Sequence, residues 1–392
     1  MRKRLASSFA VGAIVGLFVL LAADTVNAQL VISEFRVRGP NGATDEYVEL
    51  TNPSTTPLTV TVADASTGWA VAASDGTTRF VIPTGTIIPG KGHYLGTNSV
   101  GYSLGGYAAG DVTFATDIPD NAGIALFNTS IPANFALATR LDAVGSTSEA
   151  NTLYKEGTGY PALTPFSIDY AWVRDNCGKQ GSIPIMGPCP SGGGVVDTNN
   201  NAVDFYFVDT NGTSAGGGQR LGAPGPENLA GPNERNSTVP VSLVFPCVAA
   251  SIAPNRVRDF TSDPANNSTF GTIEIRRTFT NNTGSPLTRL RFRMTDISTF
   301  PAPSGIADLR PRTSTLLAVA NPCGGPAVNL DGTTLETPPS QPNGGGFNSS
   351  LSDGAITLGT PLPAGGTVNV RFLLGIQQTG NFKIYFNVEL LP

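Results

Sequence analysis

The chain has 392 residues, of which 46 are Gly, 31 are Pro and only 14% are charged. That is the usage of short strands broken by many turns, not of long helices. A net charge of −5, one His and four Cys without C-x-x-C spacing argue against nucleic acid as a ligand and against a zinc centre.

The N-terminus reads as an export signal. Met1-Arg2-Lys3-Arg4 is a positive n-region, and the apolar run from Phe9 to Ala23 is too short for a membrane span of roughly 20 residues. Val26-Asn27-Ala28 places small residues where a signal peptidase reads. The expected signal peptide is 1–28, and the mature chain begins at Gln29 with no later apolar run of membrane length. The expected location is outside the cytoplasm, secreted or at the cell surface. Cys177, Cys189, Cys247 and Cys323 make an even set, which in an exported chain favours disulfides. The expected pairs are Cys177–Cys189 and Cys247–Cys323, each confined to one proposed domain.

Strands follow in order. Leu58-Thr59-Val60-Thr61-Val62 alternates apolar and polar residues. Trp69-Ala70-Val71 and Phe80-Val81-Ile82 flank the turn at Ser74-Asp75-Gly76. His93-Tyr94-Leu95 follows a Pro-Gly turn, and Ile124-Ala125-Leu126-Phe127 follows Asn121-Ala122-Gly123.

Several of these pieces together resemble the lamin-tail domain family. Val31-Ile32-Ser33-Glu34-Phe35 is similar to its first strand, and Asp45-Glu46-Tyr47-Val48-Glu49-Leu50-Thr51-Asn52-Pro53 to its acidic strand and turn. Gly68-Trp69, Pro89-Gly90-Lys91-Gly92-His93-Tyr94, Asp120-Asn121-Ala122-Gly123-Ile124-Ala125-Leu126, Trp172-Val173-Arg174 and Ala223-Pro224-Gly225-Pro226-Glu227-Asn228 follow in the family's order. Relative to a minimal domain, Gly101–Gly110 and Cys177–Gly194 read as insertions. The resemblance covers about residues 30–229 and implies an immunoglobulin-like β-sandwich serving attachment rather than catalysis.

The expected organisation is all-β: signal peptide 1–28, lamin-tail-like sandwich 29–229, a Pro/Gly/Asn-rich linker 230–240 and a second β-sandwich 241–392 of about seven strands. In the second unit, Leu290–Met294 returns from the turn Asn281–Pro286. Val368, Val370, Phe372 and Leu374 alternate with Asn369, Arg371 and Leu373. Phe382, Ile384, Phe386, Val388 and Leu390 alternate with Lys383, Tyr385, Asn387 and Glu389, so one face is core and the other mostly wet. Residues 29–239 carry 10 positive and 19 negative groups, whereas 240–392 carry 11 and 9.

Candidate sites are few. His93 has no companion motif: there is no G-x-S-x-G and no H-E-x-x-H. It reads as a surface or edge-strand residue, and no catalytic residue is assigned. Glu34, Asp45, Glu46 and Glu49 read as polar strand positions bonded to neighbouring backbone or side chains. Asp197, Asn199 and Asn201 offer oxygens at alternate positions, as a calcium loop does, but lack the Gly and the distant Glu of the hand-type loop. An Asx turn is the commoner source of that pattern, and no other cofactor is expected. Arg289, Arg291 and Arg293 alternate with Leu290, Phe292 and Met294. They read as a solvated face, or as a row for an anionic polymer. The expected function is non-enzymatic attachment to a protein or surface glycan, with a carbohydrate- or anion-binding adhesin as the alternative and a hydrolase with loop-borne residues a third.

Overall fold

The computed structural model describes residues 30–391, apart from 164–166, 181, 184, 213–219, 300–304 and 355–357. The expected signal peptide and Gln29 lie outside the described residues. The protein is nearly all β; among the described residues the one α-helix is the four-residue Asn201–Asp204. No helix among the described residues is long and apolar enough to cross a membrane.

The first half packs two sheets. One has seven strands in the order Arg220–Leu221, Phe205–Asp209, Tyr170–Arg174, Val31–Arg36, Tyr47–Thr51, His93–Asn98 and Val112–Phe114. The other has four, in the order Arg140–Val144, Ile124–Phe127, Gly68–Ala73 and Thr78–Pro83. Between them lies a core that includes Phe35, Val48, Leu50, Trp69, Ile82, Leu126, Trp172 and Phe207. The expected strand at 58–62 is shorter, Leu58–Thr59 paired with Ile87–Ile88. Each core strand has an inner and an outer side chain set, because successive residues point to opposite faces. In Tyr47–Thr51, Val48 and Leu50 enter this core, while Tyr47 belongs to the core beyond the other face.

The second half is one continuous sheet that curls over itself. Its path runs Asn233–Glu234, Ile384–Leu390, Leu290–Ile297, Ser350–Asp353, Val328–Leu335, Thr367–Gln378, Thr272–Thr280 and Val241–Leu243. Curling brings Phe279, Phe292, Phe372 and Phe386 together, with centroids of neighbouring rings 4.8–4.9 Å apart for Phe279–Phe292, Phe292–Phe372 and Phe372–Phe386. Burying each such ring contributes about 2–3 kcal/mol. Val368, Val370, Phe372 and Leu374 all face this core, as their alternation required.

The polar faces differ from expectation. Lys383, Asn387 and Glu389, read as wet, are only 4%, 5% and 3% exposed. Lys383 and Asn387 are covered by Ile185 and Gly193, whose carbonyls accept from them at 3.0 and 2.7 Å, and Glu389 shares a small cavity with Glu34 and Glu49 of the seven-stranded sheet. Tyr47, Leu95, Ala171, Val173, Tyr206 and Val208 on the outer face of that sheet join the same apolar cluster as the phenylalanines. The two stretches read as insertions both take part. Tyr102, Tyr107 and Ala108 pack on this cluster, and Lys179 joins Lys383 around Asp296, at 3.0 and 2.8 Å. Gly193 sits at φ +91 where a Cβ would meet Asn387 Oδ1 at 2.2 Å. That backbone conformation favours glycine.

The expected linker 230–240 is bound along its length. Asn233 and Glu234 extend the second sheet by pairing with Leu390 and Glu389. Arg235 N–H donates to Val388 O at 2.7 Å. The structure joins Cys177 to Cys189 and Cys247 to Cys323, and no free cysteine remains among the described residues. The second bridge spans 76 residues, which in the chain-entropy view stabilises by about 4 kcal/mol.

Candidate functional site

A dense set of ionisable groups lies in the seam between the halves. On the first half, strand register places Glu34 directly opposite Glu49, and Thr51 opposite His93. Two like charges facing across a strand pair repel, so this face needs cations from elsewhere. On the second half, Arg291 lies opposite Glu389, and Arg293 opposite Asn387. The two polar faces meet.

Glu227, from the segment that connects the halves, lies between them. It pairs with Arg291, and with Arg293 Nη2 at 2.9 Å. His93 Nε2 lies 3.0 Å from Glu227 Oε2, and the Glu227 N–H donates to Glu49 Oε2 at 2.6 Å. Arg291 grips Glu336 with two nitrogens, Nε at 3.0 and Nη2 at 2.8 Å. Arg293 Nε donates to Glu389 Oε1 at 3.0 Å, and Nη1 to Asn348 Oδ1 at 3.1 Å. Glu34 accepts from Tyr47 Oη at 2.6 Å, Gly225 N at 2.8 Å and Asn348 Nδ2 at 2.8 Å.

Five carboxylates face three cationic side chains here, so the seam has an excess of acid. Burial, and then the charge of Glu49, push Glu34 up to about 7. Burial likewise pushes Glu389 up to about 8. Burial also acts on Glu227, but the charges of Arg293, His93 and Arg291 outweigh it and hold its carboxyl down at about 2. On His93, burial opposes the charge, yet Glu49 and Glu227 raise it to about 9. Its ring is therefore an imidazolium at neutral pH.

That state decides what the seam can do. His93 Nδ1 faces Glu49 Oε1 at 3.1 Å and Thr51 Oγ1 at 2.7 Å, while Nε2 faces Glu227. With a carboxylate at each nitrogen, it has no lone pair to take a proton from a nucleophile. The cavity beside it, lined by Glu34, Glu49, His93, Glu227, Arg293 and Glu389 among others, measures about 50 Å³, enough for a few waters and far below a substrate pocket.

The arginine row is placed differently from its sequence reading. Arg291 and Arg293 are only 3% and 5% exposed and are spent on carboxylates, because a second sheet covers the face that alternation marked as outer. Arg289 alone stays partly exposed. It lines a separate cleft of about 190 Å³ with Tyr107, Asn228 and Arg291, and its Nε has no hydrogen-bond partner.

The candidate calcium triplet is not assembled. Asn201 Oδ1 accepts from the N–H groups of Gly145 and Glu156, and its Nδ2 donates to Ala143 O, so its amide braces backbone. Asn199 turns at φ +55 and donates its N–H to Asp197 Oδ1, an Asx turn. Asp45 and Glu46 are bonded as expected, Asp45 to Arg36 and Ser103, Glu46 to Asn98 and Ile118. Sequence reasoning missed Glu227, Glu336, Glu389 and Asp296. Only Glu389, alternating with Val388 and Leu390, carried a positional cue. Comparison with known protein families, curated proteins and solved structures finds no match for the chain.

Proposed function

We propose that this is an exported attachment protein, carrying a lamin-tail-like domain, that binds a surface, matrix or protein partner without turning over a substrate. The observation that carries this reading is His93 held between Glu49 and Glu227, its acid–base capacity spent on joining the halves. Two intact disulfides accord with an oxidising compartment. The surface offers contacts for a partner: Phe260 and Phe270 are 79% and 48% exposed, and the Arg258 guanidinium lies 4.3 Å over the Phe260 ring. A screen of the mature protein against ester, peptide, glycoside and phosphoester substrates should show no turnover. Activity that disappears in His93→Asn would sink the reading.

A second reading, binding of an anionic polymer, rests on Arg289. The Arg289 guanidinium, whose Nε lacks a hydrogen-bond partner among the described residues, stands beside Tyr107 and Asn228 and suits a single carboxylate or sulfate group rather than a row of them. Retention on an immobilised acidic polysaccharide at low salt, lost in Arg289→Ser, would favour it.

A further inference from the structure

Away from the seam, one buried carboxylate cluster is left short of positive charge. Asp142 lies on the edge strand Arg140–Val144, Glu156 follows the turn at Thr152–Tyr154, and Asp197 lies in the loop after the Cys177–Cys189 bridge. One oxygen from each lies within 4.8 Å of the other two. Arg174 Nη2 is 2.6 Å from Asp142, and its Nη1 is 3.2 Å from Asp197 and 3.6 Å from Asp204. Arg140 is 3.2 Å from Glu156 Oε1. Four carboxylates therefore share two guanidinium groups.

The second observation is on Glu156 itself. The residue is only 4% exposed, and its Oε2 is buried without a hydrogen-bond partner. An orphaned carboxylate oxygen in such a place is costly unless something positive meets it.

We propose that Asp142, Glu156 and Asp197 form a calcium site. The donors are all hard oxygens, the ligand set calcium prefers. Oxygens that all lie within 4.8 Å of one another can converge on one ion, and calcium's flexible coordination suits an uneven set of carboxylates, whereas magnesium demands a near-ideal octahedron. A divalent ion would offset the excess of carboxyl groups over guanidinium groups in the cluster. Asp197 is 20% exposed and gives the ion a way in. The ion would tie Asp197 to the edge of the four-stranded sheet, and through the Ile32 N–H that donates to Asp142 Oδ2 at 2.6 Å, to the seven-stranded sheet. The site differs from Asp197, Asn199 and Asn201 and does not depend on the attachment reading.

The test is titration calorimetry and thermal melting of the full mature protein after treatment with a chelator. Calcium chloride should bind one to one and raise the melting point by about 5 °C. Glu156→Gln should abolish that rise while melting in chelator no lower than the parent. Asp197→Asn, at a partly exposed position where folding is not threatened, should weaken calcium binding about tenfold or more. No heat and no shift up to about 10 mM calcium, above the range of weak extracellular sites, would overturn the proposal. So would an unchanged response in both variants, or a preference for magnesium.

Discussion

Replacing Arg293 by methionine is expected to cost about 3–5 kcal/mol of unfolding free energy at neutral pH, because it leaves buried carboxylates without their counter-charge. Arg293 is 5% exposed and touches Glu227, Glu389 and Asn348, and its charge also opposes the rise that burial and Glu49 impose on the Glu34 carboxyl. Without it, five acids in the seam face only Arg291 and His93. Methionine fills most of the volume, so the loss reports charge rather than a cavity. Arg293→Lys should recover part of the loss, since an ammonium restores the charge but not the fork that reaches Glu389 and Glu227 together. The loss should also shrink toward pH 5, where the stranded carboxyls take up protons. Urea midpoints for parent and both variants decide the matter. A loss under about 1 kcal/mol, the value of a surface pair, would mean that the seam is wet and the halves are loosely joined.

The same arginine shows how far the sequence could be read. Alternation along Leu290–Ile297 and Ile384–Leu390 correctly separated Phe292, Val388 and Leu390 from Arg291, Arg293 and Glu389. Period-2 patterning reports which residues share a face; it does not report whether a second layer covers that face. A polar face buried by another polar face looks like one turned to water. The cue lay in the other half: Glu34 and Glu49 are cross-strand neighbours, yet register is not visible in sequence. The disulfide pairing was legible because spacing and domain limits left one compact solution. Glu227 was not, since it sits in a Pro-Gly stretch whose composition is that of any linker. The same stretch bonds Glu49 and extends the second sheet through Asn233 and Glu234.

Thermal stability is expected to peak in acidic solution, at about pH 4–5, and to fall steadily toward pH 9. A group whose folded value is raised above its unfolded one binds more protons in the native state, and its contribution is lost as pH rises through the folded value. Glu34 at about 7 and Glu389 at about 8 are such groups: their contribution is complete below the ordinary carboxyl value of 4.5 and fades through pH 7–8. Glu46 at about 8, through burial, and Asp353 at about 7, through burial and then Asp331, act in the same direction. His93 contributes fully below 6.5 and loses its contribution as pH rises through about 9, when the imidazolium between Glu49 and Glu227 gives up its proton. Glu227 works the other way: held down at about 2, its contribution is present above 4.5 and is lost as pH falls toward 2. Each proton the native state holds in excess tilts the curve by about 1.4 kcal/mol per pH unit, so the overlap of these groups makes the alkaline limb steep. Melting points from pH 4 to 9.5 at fixed ionic strength, with chelator present to keep the Asp142–Glu156–Asp197 cluster free of cations, would measure it. Glu34→Gln should flatten the curve between pH 5 and 7 and leave the limb near pH 9, where His93 acts, in place. A parent curve that is flat or rises from pH 6 to 9 would show that these carboxyls are ionised in the folded protein at little cost, and the buried seam would have to be redrawn as hydrated.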